Sequence, residues 1–80
     1  MDKDMSIAKT LNLEGLLCPI PVVKLSNAVK GIGVGEVIEA TATDPGVMMD
    51  IPAWCKSTGN DLISLDKEDG IFRFVVCRVN

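Results

Sequence analysis

The chain has 80 residues, 48% of them hydrophobic and 24% charged, with 8 basic side chains against 11 acidic ones and a net charge of −3. That length holds one domain with a modest core, and the composition is globular rather than disordered. The acidic balance without a Lys/Arg cluster excludes the footprint of a direct nucleic-acid binder, no apolar run reaches the roughly 18 residues of a membrane span, and a chain without His lacks any Cys–His or Ser–His pair.

Residues 1–8 read as a flexible leader and 9–80 as a single domain. MDKDMSIAK carries acids and no apolar h-region, so no secretory signal is expected and the cytoplasm is the default location. Thr10 to Leu13 alternates, with Leu11 and Leu13 on one face, and predicts a short strand ending at Gly15. From Pro19 the period changes. Val22, Leu25, Val29 and Ile32 fall at helical spacing with Lys24, Asn27 and Lys30 opposite, and Lys30 with Gly31 or Gly33 closes the helix.

Glu36 to Thr43 alternates Ile38, Ala40 and Ala42 against Glu39, Thr41 and Thr43, a strand with one buried and one wetter face. Asp44, Pro45 and Gly46 break it. A second helix follows, capped by Asp44 or starting at Asp50. Pro52, tolerated near a helix start, favours Asp50. Ile51, Trp54 and Cys55 form its apolar stripe and Gly59 ends it. Leu62–Asp66 and Ile71–Val79 read as strands joined by a turn over Lys67, Glu68, Asp69 and Gly70. The order β-α-β-α-β-β predicts an α+β fold: a two-layer α/β sandwich with a four-stranded mixed sheet and both helices on one face.

Cys18 stands where the first strand hands over to the first helix. A thiol at a helix start meets unpaired amides and the positive end of the dipole, conditions that favour a thiolate. With Cys18 as cap, Pro19 is the first helical residue, Pro21 removes a further amide, and the Val22 N–H bonds the Cys18 carbonyl. The Ile20 amide is then left to face the sulfur. A moderately lowered thiol pKa is expected. Leu17 and Ile20 frame the thiol with apolar surface on a convex edge suited to docking a partner, with no acid, base or pocket evident. The bland alternative is a small buried hydrophobe beside a proline.

The stretches EGLLCPIPVVKLSNAV, GEVIEA and TDPGVMMDIPAWCKSTGN closely resemble the TusA/SirA family of small sulfur-carrier proteins. Gly15, Cys18, Pro19 and Pro21 match its Gly-x-x-Cys-Pro-x-Pro signature. Gly35, Glu36, Asp44, Pro45, Asp50, Ile51, Pro52 and Gly59 supply supporting matches, and the similarity runs over about residues 10–79. The resemblance implies that Cys18 accepts a sulfane sulfur as a persulfide, with Pro19, Ile20 and Pro21 shaping its surroundings. It also implies a sulfur-donor protein (a cysteine desulfurase or rhodanese-like protein), a downstream acceptor protein, and no metal or organic cofactor. Such relays feed tRNA thiolation, cofactor synthesis and sulfur metabolism. Leu17 and Ile20 stand where better-known relay members carry a basic and an acidic residue, a departure that bears on partner choice.

Cys55, on the apolar stripe, reads as a buried structural thiol rather than a second redox site, and Cys77, alternating with Val75 and Val79, as structural. The spacings of the three cysteines match no zinc or CxxC pattern. Met48 and Met49 suit either packing or a docking surface. Lys24, Lys30 and Lys56 read as solvated, with Lys24 near enough to the helix start to assist a thiolate. The leading expectation is a sulfurtransferase-like carrier rather than a self-sufficient enzyme. The competing one is a non-catalytic regulatory or redox-sensing module that binds a partner through the same edge.

Overall fold

The computed structural model describes residues 7–79. The elements run β1 (Ile7–Leu13), α1 (Ile20–Val29), β2 (Val37–Ala42), α2 (Val47–Thr58), β3 (Asp61–Glu68) and β4 (Ile71–Cys77). They form a four-stranded mixed sheet in the order β1-β2-β4-β3, with β1 parallel to β2 and the other two pairings antiparallel. This is the expected two-layer architecture.

The inner strands carry the core. Val37, Ile38, Ala40 and Ala42 of β2 and Phe72, Phe74 and Val76 of β4 are buried. Their register sets Ala40 opposite Phe74 and Ala42 opposite Phe72, so each ring lies across from a side chain small enough to leave it room. Leu25, Ala28 and Val29 of α1 and Val47, Ile51 and Cys55 of α2 close over the same core. On α1 the buried line starts at Pro21 rather than Val22, which is only half-buried.

Several boundaries differ from the sequence reading. Of the expected leader, residues 1–6 lie outside the described residues, while Ile7 and Ala8 open β1, three positions before Thr10. The early part of β1 is an exposed edge held by backbone pairing to β2, with a register irregularity between Ile7 and Lys9. Side-chain alternation is therefore silent there. Helix α2 begins at Val47, not Asp50. The carbonyls of Asp44, Pro45 and Gly46 accept the Val47, Met48 and Met49 amides at 3.1–3.2 Å, so the break after β2 is itself the helix start. Pro52 sits inside the helix, where it forgoes the bond that position would donate to the Met48 carbonyl.

Gly59 ends α2 with φ +81°, its N–H bonding the Cys55 carbonyl. The β3–β4 turn is only Asp69 and Gly70, both at positive φ, as a tight primed hairpin turn requires. Lys67 and Glu68 therefore belong to β3, and Lys67 places its ammonium 5.5 Å from the Phe72 ring centre. β4 stops at Cys77. Beyond it the Val79 amide donates to Asn60 Oδ1 at 2.9 Å, which ties the exit of α2 to the end of the sheet.

Candidate functional site

Because β1 and β2 are parallel and each runs into a helix, their C-terminal ends deliver both helix starts to one edge of the molecule, the edge where open α/β sheets commonly bind ligands. Leu13, the last residue of β1, is 2% exposed and anchors the segment that follows. Gly15 turns the chain at φ +82° and donates its amide to Thr43 Oγ1 at 2.8 Å. Three residues on, the Cys18 amide donates to Asp44 Oδ2 at 2.9 Å. Two bonds to the residues just after β2 thus hold the loop bearing the cysteine.

Cys18 is exposed and its thiol is free. It lies one residue farther from the helix than expected: the cap is Pro19, α1 starts at Ile20, and the Cys18–Pro19 peptide is cis. The Ile20 amide, expected to face the sulfur, donates to the Leu17 carbonyl at 2.9 Å, and the first turn closes through Val23 N–H to the Pro19 carbonyl at 3.1 Å. Pro21, also expected to shape the site, is buried and does not line the groove beside Cys18.

The thiol is instead engaged by α2. Cys18 Sγ donates a hydrogen bond to Asp50 Oδ2. That bond, partial desolvation, and the negative charges of Asp50 and Asp44 push the Cys18 thiol above its ordinary pKa of 9.0. The expected lowering is therefore reversed, because the amide that would have stabilised a thiolate is spent on a backbone carbonyl and the nearest charges are carboxylates. Lys24 is exposed on α1 and does not contribute to this shift. Gly46 completes the packing: a Cβ there would lie 3.0 Å from Asp44 Oδ2, 3.4 Å from Cys18 Cβ and 3.5 Å from Asp50 Oδ2.

The edge is also less convex than expected. A groove of about 380 Å³ runs between the helices, lined by Cys18, Pro19 and Val22 on one side and Asp50, Ala53, Trp54 and Ser57 on the other. The α2 residues recur at helical spacing and present one continuous wall. Next in the chain to the groove-lining residues Cys18, Pro19 and Asp50, the apolar side chains Leu17, Ile20 and Met49 are 71%, 43% and 79% exposed. The other thiols are elsewhere: Cys55 is buried in the core, its pKa pushed up to about 11 by burial and by Asp61, and Cys77 lies half-buried on β4.

The family model described as sulfurtransferase TusA matches residues 9–78. The chain belongs to the TusA/SirA family. A TusA/SirA relative from Allochromatium vinosum, the sulfur carrier protein TusA, is 36% identical over 66 residues, covering 82% of this chain and 87% of its own. One from Archaeoglobus fulgidus, provisionally named a sulfur carrier, is 44% identical over 69 residues, 85% of this chain and 90% of its own. A relative from Aquifex aeolicus is 45% identical over 62 residues, but the chain spans only 32% of that protein's length. The crystal structure of a SirA-like protein from Desulfitobacterium hafniense superposes with a TM-score of 0.77 at 20% identity, over 90% of this chain and 99% of that one, and shares the TusA/SirA fold.

The sequence singles out Cys18 as the candidate but not the side chains that touch it. In the sequence Asp50 reads as a helix start and Asp44 as a strand breaker or helix cap, both among the residues that match the family. The signal that could have joined them to Cys18 lay in the topology: parallel strands each followed by a helix bring the loop after β1 beside the loop after β2.

Proposed function

We propose that this protein is a sulfur carrier that accepts a sulfane sulfur on Cys18 as a persulfide and hands it to an acceptor protein. The observation that carries the reading is the Cys18 thiol itself, exposed at the head of an apolar groove between two helix starts. Membership of a family whose relatives are named sulfur carriers supports it.

The sulfane sulfur rides on a side chain that a partner can reach, and among the described residues no acid–base pair beyond Cys18 and Asp50 lines the groove. This suits a carrier that borrows its chemistry from donor and acceptor. A cysteine desulfurase or a rhodanese-type protein fits as donor. The destination would be tRNA thiolation, cofactor synthesis or sulfur metabolism, reached through the acceptor rather than by direct nucleic-acid contact. A cytoplasmic location fits such partners; among the described residues, no helix is long and apolar enough to cross a membrane.

Leu17, Ile20 and Met49, exposed and adjacent in the chain to groove-lining residues, favour a second reading in which the same edge only binds a partner. Incubation with a cysteine desulfurase and cysteine, followed by intact-mass measurement, separates the two. A carrier gains the mass of one sulfur, reversibly with dithiothreitol, in the wild type and in Cys55→Ala but not in Cys18→Ser. A binding module gains none in any of them.

A further inference from the structure

Among the described residues, Asp50 is the one acid whose side chain is hydrogen-bonded to the sulfur of Cys18, and it reaches it from α2. It lies in the first turn of α2, half-buried in the groove wall between Gly46 and Ala53. The arrangement is a pair of acids holding one proton between them. In the resting protein the thiol has the proton and the carboxylate accepts the hydrogen bond.

We propose that Asp50 governs the proton of Cys18: it holds the unloaded carrier as an unreactive thiol and takes that proton when a sulfane-sulfur donor covers the groove. The proposal rests on Cys18 as the sulfur-bearing residue. Uncovered, the thiol keeps its proton, its pKa raised first of all by the hydrogen bond to Asp50. A donor seated over Leu17, Ile20 and Trp54 excludes water from both groups. The Asp50 carboxylate is already within hydrogen-bond reach of the thiol, the position a general base needs, and only one negative charge need survive in the covered site. The proton then moves from Cys18 Sγ to Asp50 while the sulfur attacks.

The exchange balances without an external oxidant. The Cys18 thiolate attacks the outer sulfur of a donor persulfide, R–S–SH. A new S–S bond forms on Cys18, the donor S–S bond breaks, and its electron pair leaves on R–S⁻. Asp50 returns its proton to that leaving thiolate. The net change is R–S–SH plus the Cys18 thiol giving R–SH plus the Cys18 persulfide. Asp44 faces the same thiol, but its Oδ2 is committed to the Cys18 amide, so it adds negative charge without sharing the proton.

The test compares wild type, Asp50→Asn and Asp50→Ala in two assays. In the first, the rate of Cys18 alkylation by iodoacetamide is followed against pH by mass spectrometry. Both variants should react severalfold faster at neutral pH, with the inflection of the profile moved to lower pH. Cys55, buried in the core, serves as the folding gauge, because it stays unmodified only while the fold is intact. In the second, loading by a desulfurase persulfide should be slowed in both variants even though their free thiols are more reactive. An unchanged alkylation profile in folded variants, or unchanged loading, overturns the role of Asp50. A Cys18→Ser protein that still accepts sulfur overturns the carrier reading instead.

Discussion

Cys55 offers a prediction whose size follows from the structure. Its thiol is 4% exposed within the core, and burial, helped by Asp61, pushes its pKa from 9.0 up to about 11. The folded state therefore holds this proton more tightly than the unfolded chain does. Below pH 9 both states keep it and the stabilisation is whole; between pH 9 and 11 the unfolded chain ionises first and the folded state loses ground. Two pKa units set a ceiling of about 2.7 kcal/mol. Water penetration around a core thiolate reduces the expected loss to about 1–2 kcal/mol. Urea unfolding of wild type and Cys55→Ala at pH 8 and pH 10.5 measures it, the lysines and other thiols cancelling in the comparison. The variant should be the less stable at pH 8, because it leaves a small cavity, but should lose less stability as the pH rises. Equal alkaline losses in the two proteins would refute the assignment of Cys55 as a buried, inert thiol.

Other outcomes follow from single features. Phe74→Ala, at a fully buried position facing Ala40 and Leu65, should cost about 3–5 kcal/mol by chemical denaturation, much of what an 80-residue domain has. Gly59→Ala forces a Cβ onto a residue at φ +81° and should cost about 1 kcal/mol while leaving sulfur loading intact. Leu17→Glu, at a position 71% exposed, should change stability by less than about 0.5 kcal/mol, and should slow loading by a donor protein more than loading by inorganic polysulfide.

The parts of this fold written in side-chain pattern were legible in the sequence. Ile38, Ala40 and Ala42 alternate because β2 has one face on the core, and Leu25 and Val29 recur because α1 lies across it. Features held by the backbone were not. The exposed opening of β1 rests on pairing to β2, and the start of α2 is set by carbonyls of the Asp44-Pro45-Gly46 turn, where the sequence leaves a cap at Asp44 and a start at Asp50 both open. Cys18 was legible by its motif and its place, whereas its electrostatics were not. Whether a helix start lowers a thiol pKa depends on where the nearest amide points, and here Ile20 N–H turns to Leu17 while Asp50 arrives from 32 residues away. A pairing at that separation follows only from the topology.

The central claim is that sulfur travels on Cys18, and its most direct test is to find the atom. The protein is loaded with a desulfurase and cysteine, trapped with an alkylating reagent and digested, and the Cys18, Cys55 and Cys77 peptides are sequenced by tandem mass spectrometry. The account predicts one additional sulfur on the Cys18 peptide, removable by dithiothreitol, with the other two unmodified. Additional sulfur on Cys55 or Cys77, or none on Cys18 after exposure to a competent donor, would contradict it.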